Sequence, residues 1–189
     1  MTSPFRPFRI STSLLEGMVG AGLLSEDAPV ELLDGELCLV SPQGSRHRMA
    51  TVRVRRALEA AFGDGHWVQD HSPVSAGPDS LPDPDVAVVH GPERYDTHPG
   101  PAEVVLVVEL CETTHREAHA KARIYGQAGF REYWILDLPG RTLTVHTGSV
   151  PAGPGAVGYG TVVVLADDAS VEVAGARLAV LDLLPPSGA

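Results

Sequence analysis

A chain of 189 residues, 43% hydrophobic and 20% charged, has the size and make-up of one globular domain able to bury a substantial core. A formal net charge of −10 excludes a surface coated throughout with nucleic-acid-binding charge, and two cysteines exclude a disulfide framework. No apolar run reaches the ~18 residues of a membrane span, and MTSPFRPFRISTS lacks the apolar centre of a secretory signal. The expectation is a cytoplasmic protein with no membrane association.

Residues 1–10 read as a loose arm. Ser11 or Ser13 can cap a short helix over Leu14 to Ala21 that stops near Gly22. Val30 to Leu33 and Glu36 to Val40 are β-type runs joined by Asp34-Gly35, a dipeptide suited to a tight hairpin turn. Ser45 precedes a helix over about Arg46 to Phe62, with Val54, Ala57, Leu58, Ala61 and Phe62 on one face and Arg48, Arg55 and Arg56 on another.

Residues 66–76 are mixed and strand-like. A Pro-rich turn then leads into Asp85-Val-Ala-Val-Val, a β-branched run. Val104 to Leu110 is almost wholly apolar, as a strand covered on both faces must be. Thr113 or Thr114 can cap a following helix that ends at Gly129. Tyr133-Trp-Ile-Leu is a further buried strand, Pro139-Gly140 turns into Thr142 to His146, and residues 151–160 form a Gly-rich loop. Strands near Thr161 to Leu165 and Val171 to Val180 finish the chain. The order predicts an α/β fold, a central mixed β-sheet flanked by helices, with an N-terminal helix-hairpin and C-terminal β additions.

Two carboxylates stand out by their surroundings. Asp85 opens an apolar strand, and Glu109 lies in a run where every other residue from Val104 to Leu110 is apolar. Burying a lone carboxylate costs several kcal/mol unless it is paired, protonated or bound to a metal. Adjacent strands can bring both acids to one end of a sheet, an oxygen donor set suited to a hard divalent cation. Lys121 is the only lysine beside thirteen arginines, which marks it for a task that a guanidinium performs poorly. Glu117 and Tyr125 stand one helical turn either side of it. Residues 46–56 hold five arginines and no acid, a local basic stretch on an acidic chain.

The blocks ELLDGEL (31–37), SPQGSRH (41–47), PDPDVAVV (82–89), VVLVVEL (104–110) and KARIYGQAGFREYWILDL (121–138) resemble, in order, the Uma-two family. That family is similar to restriction endonucleases of the PD-(D/E)XK nuclease superfamily. The resemblance implies a single restriction-endonuclease-like domain over 1–189 with its core at about 30–147. It also implies Asp85, Glu109 and Lys121 as catalytic residues, with Mg²⁺ or Mn²⁺ held by Asp85, Glu109 and the Leu110 carbonyl. Glu31 and His47, with Glu117 and Tyr125, would support the cleft. Arg46, Arg48, Arg55 and Arg56 would hold DNA phosphates, and assembly as a homodimer is compatible with the apolar strands.

The chain departs from the family pattern after Glu109. Cys111 stands where the superfamily usually has its lysine, Cys111-Glu112-Thr113-Thr114 replaces a Ser-x-Ser-Thr segment, and Glu117 replaces an aspartate. The leading expectation is metal-dependent endonuclease action on DNA. The alternative is a catalytically degenerate nuclease fold acting as a binding or regulatory module. Weaker readings are hydrolysis of another phosphate ester, and a metal shared by His115 and His119.

Overall fold

In the computed structural model, which describes residues 7–94, 96–113, 115–149 and 158–186, the first helix is α1 (Thr12–Gly20). Ser11 caps it, its hydroxyl accepting the Leu14 N–H at 3.2 Å and satisfying one of the free donors of a helix start. The strands β1 (Val30–Leu33) and β2 (Glu36–Leu39) pair antiparallel, with Leu33 opposite Glu36. Asp34 and Gly35 between them take φ of 49° and 77°, the double positive φ that a two-residue turn needs to match strand twist.

Two strands alone are marginal in water, so this hairpin depends on docking. Leu32 is fully buried, its carbonyl accepts the Leu81 N–H at 2.7 Å, and the Asp34 N–H reaches Ser80 Oγ at 2.9 Å. α2 (Ser45–Phe62) begins one residue earlier than the sequence suggests. Ser45 is the first helical residue, and Gly44 occupies the cap position without a side-chain bond. A Cβ at position 44 would meet the Glu112 carboxylate at 3.1 Å, so this crowded place goes to the residue without one.

A six-stranded sheet follows in simple spatial order: β3 (His66–Asp70), β4 (Val86–His90), β5 (Val104–Cys111), β6 (Glu132–Asp137), β7 (Thr142–Ser149) and β8 (Tyr159–Ala166). Neighbours are antiparallel except β5 and β6, which run parallel and are joined by α3 (His115–Ala128). A parallel pair needs such a crossover, because a short hairpin cannot return the chain to the same end. β5 lies inside the sheet and is covered on both faces, which explains its unbroken apolar run. Leu106, Val108 and Leu110 face α2 with Ala50, Val54 and Leu58. Val107 and Cys111 face α3 with Ala118, Ala122 and Tyr125.

The C-terminal part is more divided than the sequence suggests. Positive φ at Ala174 and Gly175 splits the run after residue 170 into β9 (Ser170–Val173) and β10 (Ala176–Ala179), a separate hairpin. A final helical turn, α4 (Val180–Leu183), buries Val180 and Leu183 in the α2-side core. Thr114 and most of the Gly-rich loop, residues 151–157, lie outside the described residues. No described helix is long and apolar enough to cross a membrane.

The seating of α3 depends on a close backbone approach. A Cβ on Gly126 would stand 2.0 Å from the Gly158 carbonyl oxygen, so the helix meets the residue just before β8 where neither carries a side chain. Gly126→Ala must therefore push α3 off the sheet. The expected cost is about 3 kcal/mol, read as a fall in the urea midpoint with an unchanged slope.

Candidate functional site

Strand register brings the two singled-out carboxylates together. Val86 of β4 pairs with Val108 of β5, and one step further along this antiparallel ladder Asp85 stands opposite Glu109. Directly opposed residues point to the same face, with Cβ atoms roughly 4.5–5.5 Å apart. Both acids are buried, Asp85 at 4% exposure and Glu109 at 8%. Pro84 holds the chain extended into this strand start, as the residue before a proline is kept out of the helical region.

Lys121 reaches the same place from α3. Its Nζ donates to Glu109 Oε1 at 3.0 Å and to Glu31 Oε1 at 3.0 Å, with Glu31 Oε2 at 2.8 Å. Tyr125, one turn further along α3, donates its hydroxyl to the same Glu109 oxygen at 3.1 Å. Glu31 comes from β1, so three separate elements meet at one ammonium. Glu117 is exposed and lies at the mouth of the cleft.

Asp85 is held from the other side. Its Oδ2 accepts the Leu110 N–H at 2.7 Å and stands 3.2 Å from His47 Nε2, while its Oδ1 accepts from Gln43 Nε2 at 2.8 Å. His47 Nε2 also lies 3.2 Å from the Leu110 carbonyl oxygen. His47 is on the first turn of α2, packed on the opposite sheet face, and reaches round the end of β5. The site therefore sits where both helix layers overlap the end of one strand. Gln43, His71 and Asp83 line the same cleft of about 500 Å³ and were not singled out by the sequence. Asp83 was legible in principle, as the second acid of Pro82-Asp83-Pro84-Asp85.

The electrostatics are those of an acid-rich cleft. Glu31, Asp83, Asp85, Glu109, Glu112 and Glu117 line it, against Lys121 as its only lysine. Burial raises the Glu109 pKa, and the charges of Asp85 and Glu31 add to that rise against the opposing pull of Lys121. Burial alone would lower the Lys121 pKa, but Glu109 and Glu31 outweigh it and keep the ammonium protonated well above the usual lysine range. Burial likewise works against a protonated His47, and the hydrogen bond and charge of Asp85 reverse the sign, raising its pKa. The Cys111 thiol, where a lysine is usual, is pushed up to about 12 by burial and by Glu109, so it is inert as a nucleophile.

The donor set suits a hard divalent cation. Glu109 takes both of its hydrogen bonds on Oε1, the Leu110 carbonyl keeps a second lone pair, and Asp83 Oδ1 is a buried oxygen with no hydrogen-bond partner. The geometry is not that of a closed cage. Among the described residues no three His, Cys, Asp or Glu side chains are grouped tightly enough to share one ion. Gln43 also takes an Asp85 oxygen, so an ion bound there would replace that contact.

The four arginines singled out on α2 divide. Arg46 donates to the Leu138 carbonyl at 2.9 Å, and Arg55 is tied to Glu59 at 2.8 Å and Asp70 at 3.0 Å. Arg48 and Arg56 are exposed. The cysteines are both free; Cys111 is buried, and Cys38 is half-buried and lines the cleft. His119 is exposed on α3, and the side chain of His115 lies outside the described residues.

A central mixed sheet with helices on both faces and an acid-rich cleft at a strand end define a mixed α/β architecture. The sequence matches the Uma2 family model, described as "Putative restriction endonuclease", over residues 22–180, and the chain belongs to that family. It is similar to a solved structure from Anabaena variabilis, described as "a putative nuclease belonging to DUF820". The TM-score is 0.67 at 16% identity, over 94% of this chain and 97% of that one. At that identity the likeness speaks for the fold alone. No curated protein matches the sequence.

Asp83 gives the site a pH signature. Burial, then Glu31, lifts its pKa from 3.8 to about 6. A carboxyl that is harder to ionise in the folded state lowers stability as pH rises from about 4 to about 6, and the penalty then stays constant. Asp83→Asn removes it. Allowing for partial solvent screening, the variant gains about 1 kcal/mol at pH 8 and nothing at pH 4, measured by urea melts at both values.

Proposed function

We propose that this chain is a metal-dependent endonuclease that hydrolyses DNA phosphodiester bonds. One observation carries the reading: two buried carboxylates, Asp85 just before β4 and Glu109 on β5, with a buried ammonium 3.0 Å from the second. Asp85, Glu109 and the Leu110 carbonyl would hold Mg²⁺ or Mn²⁺, which supplies a Lewis acid for the scissile phosphate and a bound water of lowered pKa.

The remaining chemistry belongs to the chain. Lys121 is kept protonated by its two carboxylates, so it serves as a fixed cation and not as a proton acceptor. A preset charge of this kind opposes the negative charge that builds on phosphate oxygens, without reorganising at the moment of reaction. His47 braces Asp85 and the Leu110 carbonyl, fixing the two oxygens relative to each other. Tyr125 fixes the Glu109 carboxylate by its hydroxyl. Phosphate grip falls to Arg48 and Arg56, because Arg46 and Arg55 already have partners; such contacts position a backbone without reading its sequence.

A second reading, a nuclease fold that binds without cutting, draws on the acid-rich cleft and on the contact between Gln43 and Asp85. The two readings separate by experiment. Lys121→Ala is expected to slow plasmid nicking in Mg²⁺ or Mn²⁺ by about a hundredfold or more; equal rates in both proteins would assign the activity elsewhere. Calorimetric titration with Mn²⁺ is expected to give a binding isotherm that Asp85→Asn abolishes, whereas the absence of any metal heat in the wild type favours the non-cutting module.

A further inference from the structure

One ammonium is shared by two buried carboxylates. Glu31, Glu109 and Lys121 are 7%, 8% and 8% exposed, so all three are largely removed from solvent. Such an arrangement is costly unless it holds something in place. Glu109 and Tyr125 belong to the sheet and helix that build the site. Glu31 does not: it is carried by β1, half of a two-stranded hairpin that shares no ladder with the six-stranded sheet.

The geometry points to Glu31 as a positioning residue, which holds the Lys121 ammonium from a second element besides the strand of Glu109 and so makes the docked β1–β2 hairpin part of the site. This inference rests on the reading of Lys121 as the fixed cation of the reaction. A lysine side chain has four rotatable bonds, and one carboxylate leaves its head free to swing around that partner. Two carboxylates on separate elements remove this freedom. Glu31 sits at the middle of β1, paired with Cys38, where its neighbour Leu32 is fully buried and bonded to Leu81. The clamp is therefore rigid because the hairpin is seated. Beside it, Asp34 and Arg123 form a second ion pair between hairpin and α3, but that pair is partly exposed and touches neither Glu109 nor Lys121.

Lys121 is the only lysine in the chain, so ¹⁵N-lysine labelling gives one side-chain signal. In metal-free wild type, an ammonium held by two buried acceptors exchanges slowly, and its cross-peak is expected at neutral pH with long-range couplings to two different glutamate carboxylate carbons. Coupling to one carboxylate only would overturn the inference without any variant being made. Glu31→Gln is expected to weaken the cross-peak at least fivefold, while Asp34→Asn, which removes the exposed pair and suits the positive φ there, leaves it unchanged. An unaltered peak in a folded Glu31→Gln protein also overturns the inference. These readouts need neither metal nor DNA, so they stand or fall separately from nuclease activity. Where the wild type nicks DNA, Glu31→Gln is expected to lower kcat about tenfold or more with little change in KM. A wild-type kcat in that variant counts against positioning.

Discussion

Two carboxylates closing on one ammonium inside the protein form the interaction on which the rest of the site depends. Each partner alone would be expensive to bury, and loss of the ammonium would strand both carboxylates. Glu109 can occupy an interior strand because Lys121 and Tyr125 meet it, and Lys121 can lie under a helix because Glu109 and Glu31 receive it. The same physics keeps the ammonium protonated and the Cys111 thiol inert, so the chemical character of each group is set by its neighbours.

The sheet provides the frame for this arrangement. An antiparallel β4–β5 ladder sets Asp85 against Glu109, and a parallel β5–β6 pair requires the crossover that carries Lys121 over the same face. From the opposite face α2 sends His47 around the end of β5 to brace Asp85 and Leu110. Side chains of both layers and of the hairpin thus converge at the end of β5. The chain belongs to the Uma2 family, described as a putative restriction endonuclease, and shares its architecture with the Anabaena variabilis structure.

The lysine meets its carboxylates from a helix and not from the strand that carries Glu109. Two residues after Glu109, on the same strand and facing the same layer, this chain has Cys111. A lysine on α3 reaches the glutamate from above the sheet instead, at 3.0 Å. Placing the ammonium on a helix frees it from the strand, and that freedom is what the second carboxylate, that of Glu31, takes away.

Much of this was written in one dimension. The unbroken apolar run of β5 demanded a covered strand, so the glutamate inside it demanded a partner. The single lysine among arginines named a candidate, and Asp34-Gly35 fixed a hairpin through the positive φ its turn requires. Those are local facts of burial cost and backbone sterics, which a sequence states directly. Which partners meet was decided elsewhere. That Gln43 and His47 close on Asp85, that Asp83 is left with an unsatisfied oxygen, and that Arg46 and Arg55 are consumed by internal contacts all depend on strand register and on how helices seat across a sheet. The pairing of Glu31 with Lys121 spans ninety positions, and no local rule of spacing or periodicity reaches that far.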